Sequence, residues 1–464
     1  MESSTYVVIG AGLAGAATAW HLARSGHEVS VVERTTPAAA DGSSHGSARI
    51  FRYGHDEPFW MDLVVRARAV YDELEAVSGT RLITPTGSLD FGARRQPALL
   101  ARLMADAGVE HELLTAAQAR QRWPQLAIDG EALWHPAAGV IDAEHTVEAM
   151  LEQARRHGAR VLTHWPVEGV ERLGGRAGFR LRGPGGQTLE AGHVVVAAGG
   201  FLPALLDRLP LPAGFRASLP ALRVTQESAV HFPFAEPFAE PGAAWPTFIH
   251  DTNDLRIYCL PGGRDAGDRG QKIAEFGTGR PLGSAYDQDG VVDTANVARL
   301  VEYVRRHLPG LEPEPYASTT CLFTFTPTDD FLVDAPTASP SCRRARDTAR
   351  SSPRSSGSSP PTSPPAALRS IASPPPRSPA QAEGAPTHPH STPEFAHPSA
   401  PASEFAHPSA PRRPSSPTRP RRTARHPLTR VSHGSLCHRA GPVGCRGTAS
   451  AGVVRRHQTG PVSR

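Results

Sequence analysis

The chain opens with a short apolar run that is followed at once by glycines. Tyr6–Ile9 predicts a buried strand, and the next residues read Gly-x-Gly-x-x-Gly at positions 10, 12 and 15. Ala16–Arg24 has a helical pattern closed by Gly26, and Glu28–Glu33 predicts a second strand. A strand, a glycine turn, a helix and a strand within about thirty residues indicate a dinucleotide-binding unit.

Each glycine of this turn has a separate physical role in such a unit. Gly10 permits the tight turn, Gly12 lets a pyrophosphate approach the backbone, and Gly15 lets helix and strand pack closely. The helix N-terminus offers free N–H groups to the phosphates. Glu33 ends the second strand, where its carboxylate can accept both ribose hydroxyls.

A later segment distinguishes between FAD and NAD as the dinucleotide. Arg160–Trp165 and Phe179–Arg182 alternate like strands, and residues 193–198 form a buried apolar strand that ends at Gly199 and Gly200. A return to the parallel sheet after a β-meander, with a glycine close to the cofactor, is typical of FAD enzymes. NAD dehydrogenases usually continue with further βαβ units, so the pattern favours FAD.

Charge and composition divide the chain in two. Residues 335–464 carry 19 arginines and 4 acidic residues, a net charge of +15, whereas residues 1–334 carry a net charge of −11. The second part is rich in Pro, Ser, Ala and Arg and has almost no aromatic residues or hydrophobic periodicity. It cannot bury enough apolar surface to offset its chain entropy, so we expect a disordered tail.

The five cysteines show neither a metal-ligand spacing nor a framework of pairs, so we expect no metal site and a reducing cytoplasm. The N-terminus enters a strand without a basic segment or a cleavage site. The longest apolar stretch, Val194–Leu206, is too short and too glycine-rich to span a bilayer. These features predict a soluble protein without a membrane partner.

Three further motifs point to one family. Residues 43–52 read SSHGSARIFR, residues 270–273 read GQKI, and residues 320–327 read TCLFTFTP. They resemble the monomeric sarcosine oxidase and N-methyltryptophan oxidase family of the D-amino-acid oxidase superfamily. The resemblance covers residues 5–334 and then stops.

The resemblance implies roles for three basic residues. His45 and Arg49 would supply positive charge beside the flavin ring, although either could instead be an ordinary loop residue. Lys272 is the single lysine among 49 basic residues. It would hold a water against flavin N5 and stabilise superoxide, and the alternative is a stray surface lysine.

The resemblance also implies how substrate and cofactor are held. Arg52 would clamp a substrate carboxylate, unless it pairs with Asp56 or Glu57. Cys321 would form a thioether to the flavin, although a buried cysteine is more often a small apolar side chain. The remaining cofactor contacts that the resemblance implies are Arg34, Ser43, Ser44, Val167 and Gly199.

Two departures from the family bear on the substrate. Phe276 stands where sarcosine oxidases have a histidine, and Phe323 stands where they have a tyrosine. Both changes make the substrate pocket more apolar. We therefore expect an amine that is bulkier or more hydrophobic than sarcosine.

The fold expected is α/β with two domains: an FAD-binding Rossmann-like domain with a β-meander, and a substrate domain on a mixed or antiparallel sheet. The FAD-binding domain would take residues 1–82, 144–222 and 320–334, and the substrate domain residues 83–143 and 223–319. The expected protein is a monomeric oxidase of a secondary amine or N-methyl amino acid that reduces O₂ to H₂O₂. The alternatives are a flavin dehydrogenase with another electron acceptor, an inactive truncated protein, and a non-catalytic protein whose basic tail binds nucleic acid. The tail lacks interleaved aromatic residues, so we expect no nucleic-acid partner.

The tail has the character of an out-of-frame translation. Members of the family continue past the position of Asp334 with a strand, a Gly-His-Gly segment and a helix, which this chain lacks. Read two bases into its first codon, the segment beginning at Arg346 can encode Gly-His-Gly followed by an amphipathic helix pattern. We therefore expect residues 335–464 to be the family's own C-terminal end in a shifted frame, which resequencing the gene would test.

Overall fold

The computed structural model describes residues 2–175, 177–239 and 245–336, so the predicted tail from residue 337 onward lies outside the described residues. This part of the chain contains 18 strands and 8 α-helices. The strands are β1 (Glu2–Ile9), β2 (Val29–Val32), β3 (Arg49–Phe51), β4 (Ile83–Thr84), β5 (Ser88–Phe91), β6 (Glu112–Leu114), β7 (Ala132–His135), β8 (Gly139–Ile141), β9 (Arg160–Leu162), β10 (Gly169–Arg172), β11 (Phe179–Arg182), β12 (Thr188–Val196), β13 (Arg223–Pro233), β14 (Thr247–Asp251), β15 (Arg256–Pro261), β16 (Gly270–Glu275), β17 (Arg280–Leu282) and β18 (Ala317–Phe325). The helices are α1 (Leu13–Arg24), α2 (Pro58–Ser78), α3 (Pro97–Asp106), α4 (Ala116–Arg122), α5 (Ala143–Arg156), α6 (Leu202–Leu205), α7 (Ala213–Ser218) and α8 (Thr294–His307).

The first sheet has six strands in the order β10-β11-β12-β1-β2-β9. β1 lies between β12 and β2 and is parallel to both, and β9 continues the parallel pairing beside β2. β10, β11 and β12 form an antiparallel meander. This is the Rossmann-like sheet with a β-meander that the sequence predicts, and the predicted fold class is confirmed.

Helices α1 and α5 cover one face of this sheet, because each has a continuous apolar stripe. Trp20 of α1 and Met150 of α5 belong to one buried cluster with Val8 and Val31 of the central strands. The Asp142 side chain caps α5 by accepting a hydrogen bond from the backbone N–H of His145 at 3.0 Å. The glycine turn between β1 and α1 is therefore anchored on both sides by packed elements.

The second sheet has nine strands in the order β17-β13-β16-β15-β14-β5-β7-β6, with β18 also paired to β13. Only the β5–β14 pair is parallel among its described strand pairs, so the sheet is mixed, as expected. Helix α8 packs Leu300 and Tyr303 against Val230 and Ile273 of this sheet. Since side chains alternate along a strand, residues 231 and 272 point to the opposite face.

Strand β18 belongs to the second sheet, because residues 317–325 form a full antiparallel ladder with β13. The predicted domain boundaries, with residues 320–334 in the FAD-binding domain, stay predictions.

A small third sheet, β3-β8-β4, holds the segment that carries Arg49 and Arg52. Arg49 pairs with Ile141 and Phe51 pairs with Gly139. The pairing with β8 therefore anchors the chain directly after the motif loop at 43–48.

Candidate active site

A groove runs along the carboxyl ends of β1 and β2. It contains about 1070 Å³ of empty space, including its open side. Eight of the predicted cofactor residues line it: Gly10, Gly12, Glu33, Arg34, Ser43, Ser44, Val167 and Gly199. Sequence reasoning missed other residues of its lining, among them Asp41, Trp165, Phe201, Arg208, Tyr286 and Leu322.

The glycine turn leaves no room for side chains at two positions. Gly10 has a φ of +100°, and a Cβ there would lie 2.6 Å from the carbonyl oxygen of Ala197. A Cβ on Gly15 would lie 1.9 Å from the carbonyl oxygen of Gly10. Gly15 does not line the groove itself, so its place in the motif is explained by helix–strand packing.

The carboxylate of Glu33 is held by two backbone donors. Ala11 donates its N–H to Oε2 at 2.7 Å, and Thr35 donates its N–H to Oε1 at 3.0 Å. A carboxylate offers about four acceptor sites, so lone pairs remain for two further donors. This fits the predicted role of accepting ribose hydroxyls.

Arg34 forms a charged and aromatic corner of the same groove. Its guanidinium pairs with Asp41 and lies 4.5 Å from the centre of the Phe201 ring. The ring of Tyr286, which follows β17, has its centre 4.9 Å from the centre of the Phe201 ring. These side chains come from three separate parts of the chain, which is why the sequence alone did not connect them.

The loop at 43–49 joins the groove to the second sheet. Ser43 donates its hydroxyl hydrogen to the carbonyl oxygen of Leu322 on β18 at 2.9 Å. Arg49 donates to the carbonyl oxygens of Ala48 and Ser43, at 2.9 and 3.3 Å. The Arg49 guanidinium is therefore fixed by carbonyl groups of its own loop.

His45 is less suited to carry charge than the sequence suggested. Its Nδ1 contacts the carbonyl oxygen of Gly42 at 2.9 Å. Burial and then the positive charge of Arg49 lower the pKa of His45. The neutral ring is thereby favoured at neutral pH, and the positive charge of this loop belongs to Arg49.

One face of the second sheet, opposite α8, carries Lys272 and Cys321; we call it the site face. Lys272 on β16 lies directly across from His231 on β13. Cys321 on β18 lies directly across from Glu227, also on β13. Tyr258, on the neighbouring β15, is paired with Ala274, two residues after Lys272.

Lys272 is a buried cation, not a surface lysine: it is 5% exposed. Burial, and then the positive charge of Arg49, lowers its pKa to about 8, while Cys321 and Asp265 oppose that shift. His231 is 3% exposed, and its pKa falls to about 4 because of burial and Lys272. The carbonyls of Ala317 and Gly262 lie near the His231 ring, but neither nitrogen makes a hydrogen bond of normal geometry.

Cys321 lies among the groups that the sequence associated with the flavin. Burial raises the pKa of its thiol, and the positive charges of Lys272 and Arg49 act against that rise. The hydroxyl of Tyr258 forms a hydrogen bond with the thiol. Burial outweighs these groups, so the thiol is favoured at neutral pH over the thiolate, the reactive form of a cysteine.

The two phenylalanines that depart from the family contact each other. The ring centres of Phe276 and Phe323 are 5.4 Å apart, and Phe325 lies 5.6 Å from Phe276. The Arg256 guanidinium covers the Phe276 ring at 5.0 Å. The structure therefore brings these phenylalanines together as an aromatic cluster on the site face. Phe323 is two positions after Cys321 in the sequence.

Arg52 is 6% exposed and donates to the carbonyl oxygen of Gly54. Burial and then Arg95 lower its pKa to about 9, and the carboxylates of Asp90 and Asp56 oppose that shift. The side chain stays charged at neutral pH. Asp56, which the sequence suggested as an alternative ion-pair partner, is therefore one of several charged groups around the Arg52 guanidinium.

The sequence profile of the DAO family, described as FAD dependent oxidoreductase, matches residues 5–347. The chain belongs to this family. The match extends beyond Asp334, where the motif resemblance ended.

The individual proteins that resemble this chain have low sequence identity to it. Monomeric sarcosine oxidase of Bacillus sp. (strain NS-129) is 28% identical over 340 residues, covering 71% of this chain and 83% of that protein. N-methyl-L-tryptophan oxidase of Yersinia pestis (strain Pestoides F) is 27% identical, covering 71% and 85%. The solved structure of NikD, an amino acid oxidase of nikkomycin biosynthesis, in its open form, has a TM-score of 0.62 and 26% identity, covering 72% of this chain and 85% of NikD.

The groove fits the cofactor of the FAD dependent oxidoreductase family. It begins at the glycine turn and Glu33, which suit the adenosine and phosphate groups, and reaches Leu322, the neighbour of Cys321. Among the described residues, no helix is both long and apolar enough to cross a membrane.

Proposed function

We propose that the chain is an amine oxidase of the sarcosine oxidase type, which oxidises a secondary amine or an N-methyl amino acid. Dioxygen is the electron acceptor and becomes hydrogen peroxide. The amine loses two electrons and two protons to become an imine, which water hydrolyses. Bound FAD supplies the ring that takes up the hydride from the carbon next to nitrogen.

The observation that carries this proposal is the arrangement of Lys272, Arg49 and Cys321. Arg49 and Cys321 shift the pKa of Lys272, and Lys272 and Arg49 shift that of Cys321, although the three are far apart in sequence. Positive groups in this position would stabilise the negative charge that develops when electrons reach the cofactor and then dioxygen. Lys272 is proposed to serve dioxygen, because it is a compact ammonium in a buried site.

The substrate would be held at its two ends. Arg52, buried and charged, would bind a carboxylate through its planar fork. Phe276 and Phe323 would form an apolar wall for the amine side chain. The relatives named above oxidise sarcosine or N-methyl-L-tryptophan, and the aromatic wall favours the bulkier kind of substrate.

We also propose a covalent link between Cys321 and the flavin, a monomeric protein and a cytoplasmic location. The link is supported by the place of Cys321 directly before Leu322, which lines the groove, and by the positive charges of Lys272 and Arg49 that act on its thiol. The monomer rests on the relatives, whose names include monomeric sarcosine oxidase.

The full chain, loaded with FAD, provides the test. It is mixed anaerobically with sarcosine and with N-methyl-L-tryptophan while flavin absorbance is followed, and air is then admitted. Reduction followed by fast reoxidation and peroxide release is the expected result. Slow reoxidation in air, with fast reoxidation by an artificial carrier, would identify a dehydrogenase instead.

Failure to bind flavin would support the inactive, truncated alternative. Binding of flavin without reduction by any secondary amine would leave the family assignment intact and overturn the proposed substrate class.

A further inference from the structure

A second arginine lies against the same carbonyl group as Arg52. The carbonyl oxygen of Gly54 accepts hydrogen bonds from Nη1 of Arg52 and, at 2.6 Å, from Nη2 of Arg95. Arg95 is 3% exposed. Two buried guanidinium groups therefore meet at one backbone oxygen.

Arg95 is in turn fixed by a buried chain of charged and polar groups. Its Nε donates to Oδ1 of Asp90 at 2.6 Å, and Oδ2 of Asp90 lies 2.9 Å from Nε2 of His135. The Asp90 and His135 side chains are 0% exposed. Asp90 is on β5 and His135 on the adjacent β7, so the second sheet itself holds this chain of groups.

The packing around Gly54 is close. A Cβ at this position would lie 2.6 Å from Oδ2 of Asp90 and 2.8 Å from Nη2 of Arg95. Burial alone would raise the pKa of Asp90, but the charge of Arg95 and the hydrogen bond with His135 hold it well below its usual range. The carboxylate is thus ionised and both of its oxygens are engaged.

We propose that Arg95 is a positioning residue that sets the direction of the Arg52 guanidinium through the carbonyl group of Gly54. Asp90 and His135 orient Arg95 for that purpose. The inference rests on the proposed function of Arg52 as the carboxylate clamp. A planar fork is required, because Arg95 must donate to Asp90 and to Gly54 at the same time, which a lysine ammonium does with poorer geometry.

The test compares substrates that differ only in the carboxylate. N-methyl-L-tryptophan and N-methyltryptamine are each used to reduce the flavin of the full-length holoenzyme anaerobically. The dissociation constant and the limiting rate of reduction are measured separately. Thermal unfolding is recorded for every variant.

The variants are Arg95→Lys, Arg52→Met and Arg102→Lys. Arg102 is exposed on α3, so its exchange is the matched control. We expect Arg95→Lys to raise the dissociation constant of the acid about tenfold or more, since small misplacements of a binding group are costly. In Arg95→Lys, the limiting rate of flavin reduction and the affinity for N-methyltryptamine should change little.

The outcomes separate the two levels of the proposal. If Arg52→Met weakens binding of the acid and Arg95→Lys does not, Arg95 is only structural and the inference is wrong. If Arg52→Met leaves the preference for N-methyl-L-tryptophan over N-methyltryptamine unchanged, or if the wild-type enzyme has no such preference, Arg52 does not bind the carboxylate. The inference about Arg95 is then wrong as well.

A second variant covers the case in which Arg95→Lys does not fold. Asp90→Asn combined with Arg95→Met removes both charges of the buried pair together and keeps a side-chain oxygen that can accept a hydrogen bond from Nε2 of His135. It still removes the donor to Gly54, so the same loss of acid binding is expected. Normal acid binding in the folded double variant would overturn the inference.

Discussion

The hydroxyl oxygen of Ser44 accepts a hydrogen bond from the backbone N–H of Leu13 at 3.0 Å. Leu13 is the first residue of α1, and Gly12 before it provides no side-chain cap. A residue from the motif loop therefore caps the helix at which the cofactor phosphates would bind. A Cβ on Gly12 would lie 2.9 Å from the same hydroxyl, so the glycine and the serine depend on each other.

Ser44→Ala should destabilise the flavin-free protein by about 1 kcal/mol, the usual effect of losing an N-cap. It should also weaken FAD binding, measured by titration in a Cys321→Ala background where binding is reversible. Ser25→Ala, which removes a hydroxyl at the exposed C-terminal end of the same helix, is the control. Equal effects of the two changes would mean that the Ser44 contact has no special role.

Cys321→Ala should release the flavin from the protein. After acid precipitation we expect wild-type flavin in the pellet and the variant's flavin in the supernatant. Cys259→Ala is the matched control, because Cys259 is fully buried on the α8 side of the second sheet. Wild-type flavin that washes entirely into the supernatant would remove the covalent assignment.

Lys272→Met should slow reoxidation of the reduced flavin by dioxygen by orders of magnitude. Reduction by the amine should change far less, because Arg49 and Arg52 remain. Stopped-flow measurement of each half-reaction separates the two effects. Equal losses in both would assign Lys272 to substrate binding or to structure.

The same lysine predicts a pH dependence. The pKa of Lys272 is lowered to about 8, so the fraction of the ammonium form falls as pH rises through that value. A reduced, negatively charged flavin would raise this pKa, which places the decline in the reoxidation rate at or above pH 8. Lys272→Met should show a flat profile, and a wild-type profile that is flat from pH 7 to 10 would contradict the assignment.

Phe276→His combined with Phe323→Tyr should move substrate preference toward sarcosine. The changes restore the polar residues of sarcosine oxidases and open the aromatic cluster. We expect the ratio of kcat/KM for sarcosine to that for N-methyl-L-tryptophan to rise about tenfold or more. An unchanged ratio would show that these rings do not contact the substrate.

Local patterns in the sequence determined the first sheet and its glycine turn. The strand at Tyr6–Ile9 is part of β1, which begins earlier at Glu2, and α1 begins at Leu13 instead of Ala16. The glycine spacing is informative because the steric limit at Gly15 acts against the carbonyl oxygen of Gly10, which is close in sequence. Lys272 and Cys321 were also identified from the sequence, because they stand in short motifs that resemble those of a known family.

The tertiary structure alone decided which side chains surround those residues. Strand alternation shows that residues two apart share a face, but the partner across the ladder depends on register. The pairing of Lys272 with His231, and of Cys321 with Glu227, could not be read from the sequence. The buried link from Arg95 to Arg52 through Gly54 likewise requires β5, β7 and the turn after β3 to meet, because hydrogen bonds between distant segments form only when packing brings them together.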